Sequence, residues 1–251
     1  MKKQLKTMFS VTEDKASNEE IKERIHNGGQ VTGTNLSILL LAMLIASVGL
    51  NVDSTPVVIG AMLISPLMGS LLALAYSTVT GDAKRFTNYF TGFLFQVILS
   101  ILVSTIYFYI SPLKSVTNEL SARVSLTFYG VIIAFCGGLA GIIGCTRKEK
   151  MNNIVPGVAI ATALMPPLCT MGFAIANSHW RMFLASGYLF LVNAYFIYLS
   201  ASLILNLYHL PKSKELSPEE VKALKIMMIR NTIIILIPSI IFGYRMIINA
   251  N

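Results

Sequence analysis

Long apolar runs alternate with short polar segments along this chain, and each run approaches the ~20 residues that a helix needs to cross a bilayer. They cover about Asn35–Leu50, Thr55–Val79, Asn88–Ile110, Val124–Cys145, Ile154–Asn177, Met182–Tyr208 and Asn231–Ile248. Polar turns separate them, among them Asn51-Val52-Asp53-Ser54 and the charged loop Gly81-Asp82-Ala83-Lys84-Arg85. The pattern predicts an all-α polytopic membrane protein with about seven transmembrane helices. Two amphipathic stretches stand apart from the runs. Glu13–Asn27 carries Ile21 and Ile25 on one side and ends at Gly28-Gly29, which suits a short interfacial helix or a flexible tail. Ser217-Pro218-Glu219-Glu220 has the cap serine, first-turn proline and glutamate of a helix start, with Val221, Leu224 and Met228 on one face.

The second and fifth runs share an interruption. Val57–Ala75 holds Ser65-Pro66 and Gly69-Ser70 at its centre, and Ile160–Ala176 holds Pro166-Pro167. Aligning Pro66 with Pro167 also pairs Leu63 with Leu164, Leu67 with Leu168, Val57 with Val158 and Ala73 with Ala174. A mid-helix proline removes a donor and displaces the carbonyl one turn back. The expectation is therefore that helices two and five are both proline-broken. Three runs per unit would set the second unit upside down relative to the first, a 3+3 inverted repeat plus one. The organisation follows: 1–34 an N-terminal cytoplasmic segment, 35–112 the first repeat, 113–209 the second, and 210–251 an amphipathic helix with the seventh span.

Composition strengthens the membrane reading. The 251 residues are 54% hydrophobic and 13% charged with a mean hydropathy of +0.66, against about 25% charged in ordinary soluble domains. The net charge of +8 does not point to nucleic acid, because the basic residues flank the runs. Lys84, Arg85, Arg147, Lys148, Lys150 and the basic 212–230 segment fall on the side of the basic N-terminus; Lys114, Arg123, Arg181 and Arg245 fall on the other. That bias predicts an inner membrane with the N-terminus inside and the C-terminus outside. The 212–230 segment could also meet anionic lipid. Cys136, Cys145 and Cys169 lie within runs, without paired spacing, and read as reduced packing residues. The glycine-rich fourth run, with Gly137 and Gly141 on one face, favours close helix contact.

The runs Val58-Ile59-Gly60-Ala61-Met62-Leu63-Ile64-Ser65-Pro66-Leu67-Met68-Gly69 and Pro156-Gly157-Val158-Ala159-Ile160-Ala161, with Leu164-Met165-Pro166-Pro167-Leu168, carry a resemblance. Over roughly Asn35–Asn206 the chain resembles the prokaryotic "hydrophobic protein" family catalogued as domain of unknown function 389. The resemblance implies a prokaryotic membrane setting and brings no substrate or reaction with it.

Function must then be read from the residues. The middles of the runs contain no Asp, Glu, Lys, Arg or His, which counts against a carboxylate proton relay and an intramembrane protease. His26, His179 and His209 lie at or beyond run ends and far apart, so no metal cluster, catalytic group or cofactor is expected. What remains near the breaks is hydroxyl and backbone: Ser65, Pro66, Gly69, Ser70, Thr162, Pro166, Pro167 and Thr170 form the candidate binding site. Gln96, Asn193 and Asp53 are candidate pathway residues. The leading reading is a secondary-type carrier of a small solute or ion. An oligomeric channel and a non-transporting membrane sensor or scaffold stay open. The expected partners are the lipid bilayer, the unidentified solute or ion, and further copies of the chain.

Overall fold

The short polar segments close their neighbouring helices with their own side chains. Ser17 and Glu20 form a reciprocal capping box, and Thr32, Asp82 and Thr117 accept from the backbone N–H three residues on. The computed structural model describes residues 15–124, 128–148 and 154–212, together with Ile226 and Arg230. Within them the chain is helical: α1 (Asn18–Gly29), α2 (Gly33–Asn51), α3 (Thr55–Ile64), α4 (Leu67–Thr80), α5 (Ala83–Ile110), α6 (Asn118–Ala122), α7 (Phe128–Thr146), α8 (Ile154–Ala176) and α9 (Trp180–Leu207). A single isolated bridge, Lys15 with Arg147, is the only extended pairing among the described residues. The amphipathic stretch from Ser217 and the run Asn231–Ile248 lie outside the described residues.

Helices α2, α5 and α9 are each long and apolar enough to cross a membrane, and α3 with α4 makes a fourth such span bent by 47°. Their outward faces agree: Phe90, Leu94, Ile98, Leu102 and Ile106 recur every four residues along α5 and all are exposed. Such a stripe belongs against hydrocarbon.

The contacts fix the helix directions. Val31 lies on Gly92, Ser47 on Ser104 and Asn51 on Ser111, so α2 and α5 are parallel. Ser104 touches Gly172, and the Phe108 ring meets Phe173 at 5.1 Å, so α8 runs with them. Helix α4 returns against α5 through a tight turn: Gly81, at φ 71°, and Asp82 both donate to the Ser77 carbonyl. Gly138 packs on Ile197 and Thr146 on Tyr208, which aligns α7 with α9. One end of the bundle therefore carries α1 and the α4–α5 turn, and the opposite end carries α6.

Helix α8 is the axle. It packs against α2, α3, α4, α5, α7 and α9, and Leu164, Met165, Leu168, Cys169 and Phe173 are sealed from outside.

Three expectations change. Helix five is not broken, because α8 continues through Pro166 and Pro167. It packs against six neighbouring helices, and packed membrane helices tolerate interior proline in this way. The Gly81–Arg85 segment is a two-residue turn, with α5 already begun at Ala83. The N-terminal amphipathic stretch is a capped helix whose Ile21 and Ile25 are buried, with α4 as its main packing partner. Its apolar side faces protein.

Small residues set the helix separations. A Cβ on Gly138 would stand 1.9 Å from Ser200 Oγ and 2.8 Å from the Ile197 Cα, whereas one on Gly60 would meet nothing within 4 Å. Gly138→Ala should therefore destabilise by roughly 1–3 kcal/mol through overpacking and lower the melting temperature in detergent. Gly60→Ala should leave it unchanged or raise it. Equal melting temperatures for the two variants would refute this account of the α7–α9 contact.

Candidate functional site

Pro66 has no N–H to continue α3, and the chain bends where that bond is missing. Helix α3 ends at Ile64, Ser65 takes an extended conformation (φ −72°, ψ 129°), and α4 begins at Leu67. The break is tightened by short-range bonds: Ser65 N–H donates to the Met62 carbonyl at 3.3 Å and Gly69 N–H to the Pro66 carbonyl at 3.1 Å. The regular ladder is interrupted here, so the C-terminus of one half-helix and the N-terminus of the next meet inside a single span.

Helix register places this break. Ser70 Oγ donates to Gln96 Oε1 at 3.1 Å, joining α4 to α5. Because the two are antiparallel, moving one turn back from Ser70 to Pro66 corresponds to moving one turn forward from Gln96 to Ser100. Ser100 is also one turn before Ser104, which shares a 3.0 Å hydrogen bond with Ser47 and donates to the Cys169 carbonyl at 3.0 Å. The same step carries Ser47 back to Met43, near the middle of α2, and carries Cys169 and Gly172 back to Met165 and Leu168, either side of the proline pair. The Ser65-Pro66 break, Ser100 and Pro166-Pro167 thus share one level at mid-height of the bundle.

That level is polar without being charged. Gln96, Ser100 and Ser104 lie on the buried face of α5, one turn apart. Ser100 is wholly buried, and among the described residues its hydroxyl and that of Ser65 have no hydrogen-bond partner. This is unusual for helical serine, which ordinarily bonds back to a carbonyl. Thr105 does so with Ile101, and Thr170 with Pro166 at 2.9 Å. Pro166 and Pro167 also withhold the N–H donors that the carbonyls of Thr162 and Ala163 would otherwise receive from four residues on. The level therefore offers hydroxyl and carbonyl oxygens to a bound group, suited to hydrogen-bonding solutes or a weakly hydrated cation.

Other predicted residues take different places. Gly69 is a packing contact, pressed against Gly28 of α1. Asn193 is buried on α9 one turn beyond Phe190, whose ring stacks on Phe93 at 6.1 Å. It therefore stands nearer the α1 end than Ser100 does. Asp53, at φ 54°, accepts from Asn118 Nδ2 and Glu119 N–H, each at 2.8 Å, and ties the α2–α3 turn to α6. Ser47, Ser100 and Ser104 were not among the sequence candidates. Their signal is the four-residue spacing of Gln96, Ser100 and Ser104 within an otherwise apolar run.

Ser100→Ala removes no hydrogen bond and should leave stability unchanged or slightly higher. Ser104→Ala breaks two and should cost about 1–3 kcal/mol. Thermal melts of both variants in detergent check this. A Ser100→Ala loss as large as that of Ser104→Ala would show the Ser100 hydroxyl to be structurally bonded.

Comparison with known proteins agrees with the motifs. A protein of Methanocaldococcus jannaschii, itself described as uncharacterized, is 28% identical over 206 residues, which is 80% of this chain and 64% of that protein. The chain therefore spans just under two thirds of that relative's length. No solved structure matches this chain. The family model described as a domain of unknown function (DUF389) matches residues 62–199, from the end of α3 to the body of α9 and more than half of the chain. The chain belongs to that family.

Proposed function

We propose that this protein is a secondary-type membrane carrier for a small solute or ion, bound at mid-height between the Ser65-Pro66 break and Pro166-Pro167. The observation that carries the reading is the shared level of both proline sites with the unpartnered hydroxyls of Ser65 and Ser100. Interrupted helices at the centre of a bundle are where carriers hold their cargo. A neutral lining favours a monovalent ion or an uncharged hydrogen-bonding solute over a multiply charged one.

The packing pattern supports the inverted repeat. In the first trio α2 packs on α3 and α5, and α4 on α5; in the second α7 packs on α8 and α9, and α8 on α9. Corresponding members run in opposite directions, as α2 against α7 and α5 against α9. This favours six spans from α2, α3 with α4, α5, α7, α8 and α9, and the run Asn231–Ile248 would supply the seventh. In the proposed setting, a prokaryotic inner membrane, the charge bias puts the α1 end on the cytoplasmic side. The two trios rocking about the mid-height site would expose it to each side in turn.

The reading is tested by reconstitution in liposomes and a screen of monovalent ions and small neutral solutes. Flux should saturate with concentration, and Ser100→Ala or Pro66→Ala should lower it by about tenfold or more, the loss of one to a few kcal/mol of site interactions. Membrane insertion should stay intact. Unchanged flux in well-folded variants sinks the site, and flux that rises linearly with concentration identifies a channel instead.

A further inference from the structure

The segment from Lys15 to Val31 is fastened to both trios at one end of the bundle. On the second trio it is held by the closing turns of α7 and α9. Ala16 N–H donates to the Thr146 carbonyl at 2.8 Å, Lys15 Nζ to the Tyr208 carbonyl at 3.0 Å and Arg24 Nη1 to the Arg147 carbonyl at 2.5 Å. Both cations thus sit at the negative ends of helices, where positive charge is favoured. On the first trio Ile21 and Ile25 are buried, and the last turn of α1 meets α4 through its glycines. A Cβ on Gly69 would stand 2.0 Å from the Gly28 carbonyl oxygen, and one on Gly29 would stand 2.3 Å from the Ala73 Cβ. His26 Nδ1 and the Tyr89 hydroxyl share a 2.6 Å hydrogen bond, and Val31 rests on Gly92 of α5.

The depth of this contact matters. Gly69 is in the first turn of α4, directly after the Ser65-Pro66 break, and its neighbour Ser70 is bonded to Gln96. The last turn of α1 therefore lies against α4 within one turn of the break. The fastenings are also of a kind that can part. Helix α1 has 12 residues, a length at which an isolated helix is marginal in water. Glu19, Lys22 and Glu23 face outward, and only Ile21, Ile25 and Gly29 of α1 are buried.

We propose that α1 is a releasable plug: docked on Gly69 and Ala73 it closes one side of the mid-height site, and undocked it opens that side. The proposal rests on the carrier reading for what passes, while the closure itself stands on the α1 contacts.

Hydrogen–deuterium exchange of the full chain in lipid nanodiscs reads the plug without any substrate. In the wild type the amides of α1 and of residues 67–72 should exchange together, because one opening exposes both. Gly29→Ala, which pushes against Ala73, should speed both about tenfold or more by favouring that opening. Helix α9 should keep its protection. If residues 67–72 stay protected while α1 exchanges faster, or if neither changes, α1 is only a surface helix and the proposal falls. Should α9 loosen as well, Arg24→Gln, which unfastens the α7 side alone, is read by the same two outcomes. Coupled exchange in a protein with no saturable flux would keep the plug and discard the carrier; flux without coupled exchange would do the reverse.

Discussion

Backbone polar groups away from water must find partners inside the protein, and Pro66, Pro166 and Pro167 each take one donor away. Everything at the centre of the bundle follows from how those losses are met. At Pro66 the helix gives way, turning through 47° and restarting at Leu67. At Pro166 and Pro167 the helix continues, packed against six other helices. Ser104 adds a bond from α5 to the Cys169 carbonyl just past the proline pair.

Close approach of helices is what brings these groups to one level. Ser104 and the Thr105 N–H lie 2.6 to 2.8 Å from where a Gly172 side chain would begin, and Val58 is equally tight on Gly49. Backbones brought this near allow short side chains to bridge from helix to helix, so serine suffices where longer side chains would otherwise be needed. The result is a core whose middle is polar and uncharged, surrounded by an apolar exterior. Such a middle can bind without the large desolvation cost that a buried charge would impose.

The sequence made the helices legible because their ends are chemically marked. Hydropathy located α2, the bent span, α5 and α9 to within a few residues, and the Ser65-Pro66 break was visible in the residues themselves. The fate of Pro166-Pro167 was not, since it depends on how many neighbours enclose α8, which local sequence does not encode. Nor could Gly69 be assigned: a glycine beside a break looks like part of a site, and only the arrival of Gly28 from a distant segment makes it a contact. Asp53 stood among the pathway candidates because its partners, Asn118 and the Glu119 backbone, come from beyond α5. Ser100 and Ser104 were readable by spacing, yet their two different fates, one bonded and one not, were set by α2 and α8.

The bond from Lys15 to the carbonyl of Tyr208 joins residues 193 positions apart. A ribosome delivers the first of these long before the second, since synthesis proceeds from the N-terminus. Helix α1 and its main partner α4 can both form early, but the Lys15 fastening does not exist until the end of α9 has emerged. During biogenesis the nascent bundle therefore passes through a stage in which the first trio is assembled and the Lys15 end of α1 is unfastened. The Lys15 bond is then a late event, and it reports that both trios are in place.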